Sequence, residues 1–220
     1  LEDKMNVDQD VKSVGVQAIL FVEDSIHFYS ALLPYLYKHV FLQSRSFMTE
    51  ALNEHEQMLR MRGRPKILLA RNYEEAKELY DKYQKNLLGL VTDVRFPKDG
   101  ELYARSGIEL CEYIREKDKF LPIIIESSEE INKVEADRLQ AHFINKSNSL
   151  MHLELKEAVT HNFGFGDFNF IDPETHWVVA VVKNLKDLQQ KIFEIPSESL
   201  YHHLSKNHLS RWLYSRAMFP

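Results

Sequence analysis

Three carboxylates, a hydroxyl and an ammonium stand at corresponding places in this 220-residue chain, each just beyond a short apolar run. Glu23-Asp24 follows residues 17–22, Asp93 follows 87–92, Ser127-Ser128 follows 121–126, and Lys146 follows 141–145. If these ends share one rim, the carboxylates repel one another and want a hard divalent cation. Mg2+ suits them, because it takes one or two carboxylates, keeps several waters and leaves room for phosphate oxygens. A lysine opposite supplies a point charge to a phosphoryl group, and a serine hydroxyl can donate to one of its oxygens. These residue types point to Mg2+-assisted phosphoryl handling, with Asp93 as the natural nucleophile.

The ends share a rim only if the runs are strands of one sheet. Residues 17–22, 66–70, 87–92, 121–126 and 141–145 are rich in Ile, Val and Leu, and nearly continuous rather than alternating. That is the pattern of strands covered on both faces. Stretches at 25–62, 73–85, 107–117, 129–139 and 148–161 read as helices. Strands interleaved with helices predict an α/β domain built on a five-stranded, doubly wound parallel sheet, with right-handed crossovers. In such a sheet, ligands bind beyond the carboxyl ends of the strands, where the five side chains stand.

Two features exceed that plan. The first connection, 25–64, is far longer than a crossover needs, and as a single helix it would extend about 60 Å. Phe28, Leu32, Leu36, Val40, Phe47, Ala51, Met58 and Met61 recur through it at helical spacing, and Pro34 should kink it or force a fresh start. Its outer half either packs on another part of the same protein or forms a dimerising arm. The second feature is the tail from about His161. Residues 167–171 and 176–182 read as a β-hairpin around Asp172-Pro173-Glu174-Thr175. Asn184 then suits the N-cap of a helix over 185–193, and Ser197 that of a last helix reaching Ala217.

Composition narrows the function classes. Only 7 glycines occur, and neither GxxxxGK[ST] nor a complete GxGxxG is found, so the sequence argues against P-loop and dinucleotide-fold enzymes. One cysteine excludes a disulfide framework and any all-Cys metal site, and fits a reducing compartment. No apolar run approaches the roughly 20 residues of a membrane span, and no signal-peptide pattern is present. The expected location is the cytoplasm, with no membrane partner. The net charge of -5 argues against nucleic acid, and the tail beyond His161 carries 6 basic and 6 acidic residues with no basic stripe. Opening at Leu1 and stopping at Pro220, the chain reads as a piece of a longer polypeptide.

Val22-Glu23-Asp24-Ser25, Thr92-Asp93, Ile125-Glu126-Ser127-Ser128 and Phe143-Ile144-Asn145-Lys146 together resemble the receiver domain of two-component response regulators, a flavodoxin-like fold. The resemblance implies that Asp93 accepts a phosphoryl group as an acyl phosphate, from a histidine kinase or a small phosphodonor. It implies Mg2+ held by Glu23, Asp24, Asp93 and the backbone carbonyl of Arg95, with Lys146 paired to the phosphate. Ser127 would be the switch hydroxyl and Phe143 the aromatic that reorients with it. Two departures stand out: Ser147 follows Lys146 where receivers usually have proline, and 98–106 is longer than the usual loop beyond the acceptor.

Further strings, Arg64-Pro65-Lys66-Ile67-Leu68-Leu69-Ala70, Asp93-Val94-Arg95-Phe96-Pro97, Asn162-Phe163-Gly164-Phe165-Gly166-Asp167-Phe168 and Asn207-His208-Leu209-Ser210-Arg211-Trp212-Leu213, are similar to the receiver-bearing region of bacterial phosphoenolpyruvate synthase-like proteins, the pyruvate phosphate dikinase family. On that resemblance, 1–13 would be the tail of a preceding domain or a linker. Residues 14–161 would be the receiver, with a helical insertion at about 38–64, and 162–220 a hairpin plus two helices. Catalytic modules of the same polypeptide would follow as partners, and a second copy could pair through the helical arm. The fragment itself holds no complete catalytic module. The alternative on the same fold is a non-phosphorylated interaction or dimerisation module that positions those catalytic domains.

Competing readings are weaker. His202, His203 and His208 tempt a metal assignment, but adjacent residues point to different faces of a helix and a gap of five does not make one clean face. A haloacid-dehalogenase-type phosphatase needs a DxD motif after the first strand, which Asp24-Ser25-Ile26 lacks, and Ser25-Ile26-His27 makes a poor flavin loop. Cys111 sits among apolar neighbours and reads as core.

Overall fold

The computed structural model describes residues 2–49 and 54–218, apart from the side chains of 55, 56, 59 and 61, so Leu1, Ala51 and the Met61 side chain lie outside the described residues. Its strands are β1 (Ala18–Val22), β2 (Lys66–Ala70), β3 (Leu87–Asp93), β4 (Phe96–Lys98), β5 (Glu101–Tyr103), β6 (Ile123–Ser127), β7 (His142–Asn145), β8 (Phe168–Ile171) and β9 (Val178–Val182). Its helices are α1 (Glu2–Val14), α2 (Ile26–Met48), α3 (Glu54–Arg62), α4 (Tyr73–Tyr83), α5 (Ser106–Lys117), α6 (Asn132–Arg138), α7 (Met151–Asn162), α8 (Leu185–Lys191), α9 (Ser197–Ser205) and α10 (His208–Ser215).

The five long apolar runs form one parallel sheet in the order β2-β1-β3-β6-β7. This is the flavodoxin-like doubly wound order, with its switch point between β1 and β3. Both faces are covered, as the continuous runs require. Leu20, Leu90 and Ile125 pack into one core cluster with side chains of α4 and α5, while Phe21, Val91 and Ile144 pack into the other with α2 and α7. Gly89 has a steric reason to be glycine: a Cβ there would lie 2.1 Å from the Phe163 ring, which packs against β3.

The edge strand β2 is covered by α1, the segment expected to trail from a preceding domain or linker. Val7 of α1 is buried in the core, and the Asp3 carboxylate accepts from the Ile67 backbone N–H at 2.9 Å and pairs with Arg64 at 2.6 Å. A free edge N–H is thereby satisfied by a side chain.

The single long helix expected over 25–62 is instead two helices. α2 runs through Pro34 without restarting and ends at Met48, where Thr49 Oγ1 donates to the Ser46 carbonyl at 2.6 Å. α3 packs back on α2, and Arg60 donates to the Phe47 carbonyl at 2.5 Å. The outer half of the insertion therefore packs on the same chain.

In the tail, the hairpin β8–β9 and the Asn184 cap follow expectation, with Asn184 Oδ1 accepting from the Asp187 N–H at 2.9 Å. The last helix does not: it breaks at Lys206-Asn207 into α9 and α10, with Asn207 in the left-handed region at φ 58°. Asn tolerates that conformation better than other non-glycine residues. Ser197 is the first residue of α9, and the cap position falls on Pro196. The tail is fastened to the sheet through Phe163-Gly164-Phe165-Gly166. Trp212 Nε1 donates to the Gly166 carbonyl at 2.9 Å, and Ser215 and Arg216 both donate to that of Gly164 at 2.7 Å. Gly164, at φ 84°, lets the Trp212 backbone approach closely. No helix among the described residues is long and apolar enough to cross a membrane.

Candidate functional site

Parallel pairing in register brings the strand ends to one level: Val22 lies opposite Thr92, Asp93 opposite Glu126, and Ser127 opposite Asn145. The residues just beyond them meet. Glu23, Asp24 and Asp93 each offer a carboxylate oxygen within 4.8 Å of the others. Lys146 reaches into this group, pairing with Asp93 Oδ2 at 2.9 Å and donating to Glu23 Oε2. Above them opens a cavity of about 340 Å3, walled by Asp24, Asp93, Arg95, Ser127 and Lys146. Glu23 is fully buried beneath, and its other oxygen accepts from the Ser25 backbone N–H at 3.0 Å.

Electrostatics sort the roles. Burial pushes the Glu23 carboxyl above the usual range, and Lys146 pulls part of that shift back. Burial raises Asp24 too, and the neighbouring Asp93 adds to it. Burial works against the charge on Lys146, but the combined field and hydrogen bonds of Asp93 and Glu23 outweigh it and raise its pKa. A lysine held between two carboxylates stays an ammonium. Crowded carboxyls pushed upward are groups that a cation would stabilise, and an all-oxygen set of this kind fits Mg2+. Asp24 is the least engaged of the three, accepting only from its own backbone N–H among the described residues.

Asp93 is fixed at one edge of the cavity. Its Oδ1 accepts from the Val94 N–H at 2.7 Å and its Oδ2 faces Lys146. Ser127 Oγ shares the cavity but turns toward α6, accepting from the Glu129 N–H at 3.1 Å and the Asn132 amide at 2.9 Å. Phe143 is half-buried against the core beside β6 and does not line the cavity. Six of the seven expected site residues thus gather around the rim, with Phe143 set back from it.

Several neighbours escaped sequence reasoning. Asn132, which holds the Ser127 hydroxyl, gave no signal, being a lone amide in a polar stretch. The Phe28 ring lies 4.4 Å from Lys146 Nζ, a cation–π contact from the first turn of α2. The segment 98–106, expected as an extended loop, contributes to a β4–β5 hairpin whose Leu102 and Ala104 overhang the cavity. Its turn is Asp99-Gly100, with φ 53° and 83°, a strong hairpin signal that the sequence did carry. The hairpin is fastened by Lys98 to Glu109 and by Asp99 N–H to Glu74 at 3.0 Å. Ser147, standing where a proline was expected, uses its N–H to donate to Asn145 Oδ1 at 2.8 Å and closes a local turn. Glu126, whose role was not foreseen, is fully buried with no hydrogen-bond partner for either oxygen among the described residues.

No family model matches the chain, and no curated protein matches it significantly. Solved structures do. The non-phosphorylated HemR receiver domain of Leptospira biflexa is 22% identical, with 64% of this chain and 90% of that one covered at a TM-score of 0.44. A response regulator receiver domain protein of Clostridium thermocellum is 14% identical, with 67% and 94% covered at 0.47. The Thermotoga maritima response regulator TrrA, in complex with Mg2+ and beryllofluoride, is 21% identical, with 67% and 99% covered at 0.41. The likeness is one of fold.

Proposed function

We propose that this chain is a phosphoacceptor signalling module, in which Asp93 takes a phosphoryl group from a histidine kinase or a small phosphodonor. The observation that carries this reading is the Lys146–Asp93 pair at 2.9 Å on the wall of a cavity shared with Asp24 and Ser127. A carboxylate oxygen of Asp93 forms the new bond to phosphorus while the bond to the donor's nitrogen or oxygen breaks, leaving an acyl phosphate. Glu23, Asp24, Asp93 and the Arg95 carbonyl would hold Mg2+, which when bound neutralises charge on the phosphoryl oxygens.

The protein's own groups do the rest. Lys146 is already aimed at Asp93 and supplies a point charge to a phosphoryl oxygen. Ser127 accepts two hydrogen bonds through Oγ, so its own proton is free to be donated. Donation to the phosphoryl group competes with the Asn132 and Glu129 contacts, which biases the start of α6 between two arrangements. Phe143, on the adjacent strand, would follow that change. Placement ahead of phosphoenolpyruvate synthase-like catalytic modules is supported by the sequence strings alone; on that reading, those modules receive the signal.

Beryllofluoride is a stable mimic of an acyl phosphate and tests this directly. Fluorine NMR should show bound beryllofluoride that requires Mg2+ and disappears in Asp93→Asn. Absence of any bound signal in the wild type would favour the non-phosphorylated interaction module instead.

A further inference from the structure

At the end of the sheet opposite Asp93, the starts of β6 and β7 and the C-terminal extension enclose a second cavity of about 450 Å3. Among the described residues four permanent cations line it, Arg115, Lys119, Lys206 and Arg211, against one lining carboxylate, Asp167. Asp118, just outside the wall, is taken by Arg211 at 3.2 Å. Among the described residues the Arg115 guanidinium is met only by peptide carbonyls, those of Leu121 at 2.6 Å, Leu139 at 2.8 Å and Gln140 at 3.3 Å among them. Lys119 and Lys206 form no ion pair among the described residues, and Lys206 Nζ spends one donor at most, on His202 Nε2 at 3.4 Å. Such an excess of positive charge in a concave, partly desolvated site wants an anion.

The break at Asn207 adds a second feature. It folds α10 back so that His203 and His208, five residues apart, meet with their Nδ1 atoms 3.1 Å apart on the wall of this cavity. The Ile171 backbone N–H donates to His203 Nε2 at 3.0 Å. The neutral His203 ring therefore carries its proton on Nδ1 and donates it to His208 Nδ1, which leaves His208 with an N–H at Nε2. This order argues against a metal, because ligation through His203 Nδ1 would put a proton on Nε2, where the Ile171 N–H already points. Burial pushes both rings down to about 4, so at neutral pH they act as uncharged hydrogen-bonding groups beside the cations.

We propose that this cleft binds a small phosphate-bearing anion, recognised by Lys119 and Lys206 beside the His203–His208 pair. Phosphate is favoured over carboxylate by the donors that carbonyls and carboxylates do not already occupy. Both arginine forks, which would match a planar carboxylate, are engaged with carbonyls or with Asp118. The remaining donors are the two lysine ammoniums, imidazole and the side-chain amides of Gln140, Asn162 and Asn169, single-point donors suited to the several oxygens of a phosphoryl group. The site is separate from Asp93 and does not depend on the function proposed above.

Calorimetric titration with inorganic pyrophosphate, at low salt in buffer stripped of divalent cations, is the test. Saturable binding is expected in the wild type and equally in Asp93→Asn. Binding should weaken about tenfold or more in Lys119→Ala/Lys206→Ala. Thermal melting should confirm that this variant is folded, with the two single variants standing in if it is not. Citrate, a compact polycarboxylate, should bind about tenfold more weakly than pyrophosphate. The His208 ring resonances should move on saturation. No saturable binding at millimolar pyrophosphate, undiminished binding in the folded lysine variants, loss of binding in Asp93→Asn, citrate binding as tightly, or unmoved His208 resonances would each overturn the assignment.

Discussion

Lys146 is the side chain on which the site turns, because it answers two carboxylates at once, one of them fully buried. Removing it leaves Glu23 without its cation, and Lys146→Ala should cost about 3–5 kcal/mol in urea unfolding. Glu126, on the neighbouring strand, has the opposite problem: it is buried with no hydrogen-bond partner among the described residues. Burial, opposed by Lys146 and reinforced by Glu23 and Asp93, pushes its pKa to about 8 from an ordinary 4.5. The folded state then binds a proton that the unfolded state releases, so this residue's contribution to stability falls as pH rises from 4.5 to about 8. Glu126→Gln should gain on the wild type through that window, toward a ceiling of roughly 5 kcal/mol, read by urea unfolding at several pH values. A constant difference across pH would contradict a buried neutral carboxyl. At this scale the charged site residues were legible in the sequence, since each stands where an apolar run stops. Asn132 was not, because an amide that positions a hydroxyl leaves no periodic or charge pattern.

The strands that build the sheet were legible for a similar reason: runs such as Leu87–Asp93 are buried on both faces and carry no alternation that could be misread. Shorter or bent elements were hidden. β4 and β5 are three residues each, too short for a period to show, and only Asp99-Gly100 announced them. Gly100 sits at φ 83° with open space around its Cα, so Gly100→Ala carries backbone strain without a clash. It should cost about 1 kcal/mol in urea unfolding. The helix breaks at Met48 and at Lys206-Asn207 were missed because apolar spacing ran on across both. The second break mattered most: spacing along a continuous helix separates His203 from His208, whereas the fold brings them together.

Across the whole molecule, the C-terminal extension is bolted to the sheet rather than tethered to it. Phe163 occupies the space Gly89 leaves on β3, and Trp212, Ser215 and Arg216 grip the Gly164 and Gly166 carbonyls. The two tryptophans report on this separately, since Trp177 is 78% exposed and Trp212 only 1%. In a Trp177→Phe background, Trp212 fluorescence and far-UV circular dichroism should therefore unfold in one coincident transition. An earlier fluorescence transition would mean that the extension melts alone. The same architecture sets the acidic rim and the basic cleft at opposite ends of one sheet, and phosphoryl transfer is the function proposed for the first. The most direct measurement of that assignment is intact mass after incubation with acetyl phosphate and Mg2+. One phosphoryl group should be added to the wild type and none to Asp93→Asn; an unmodified wild type, or an adduct that survives in Asp93→Asn, would contradict it.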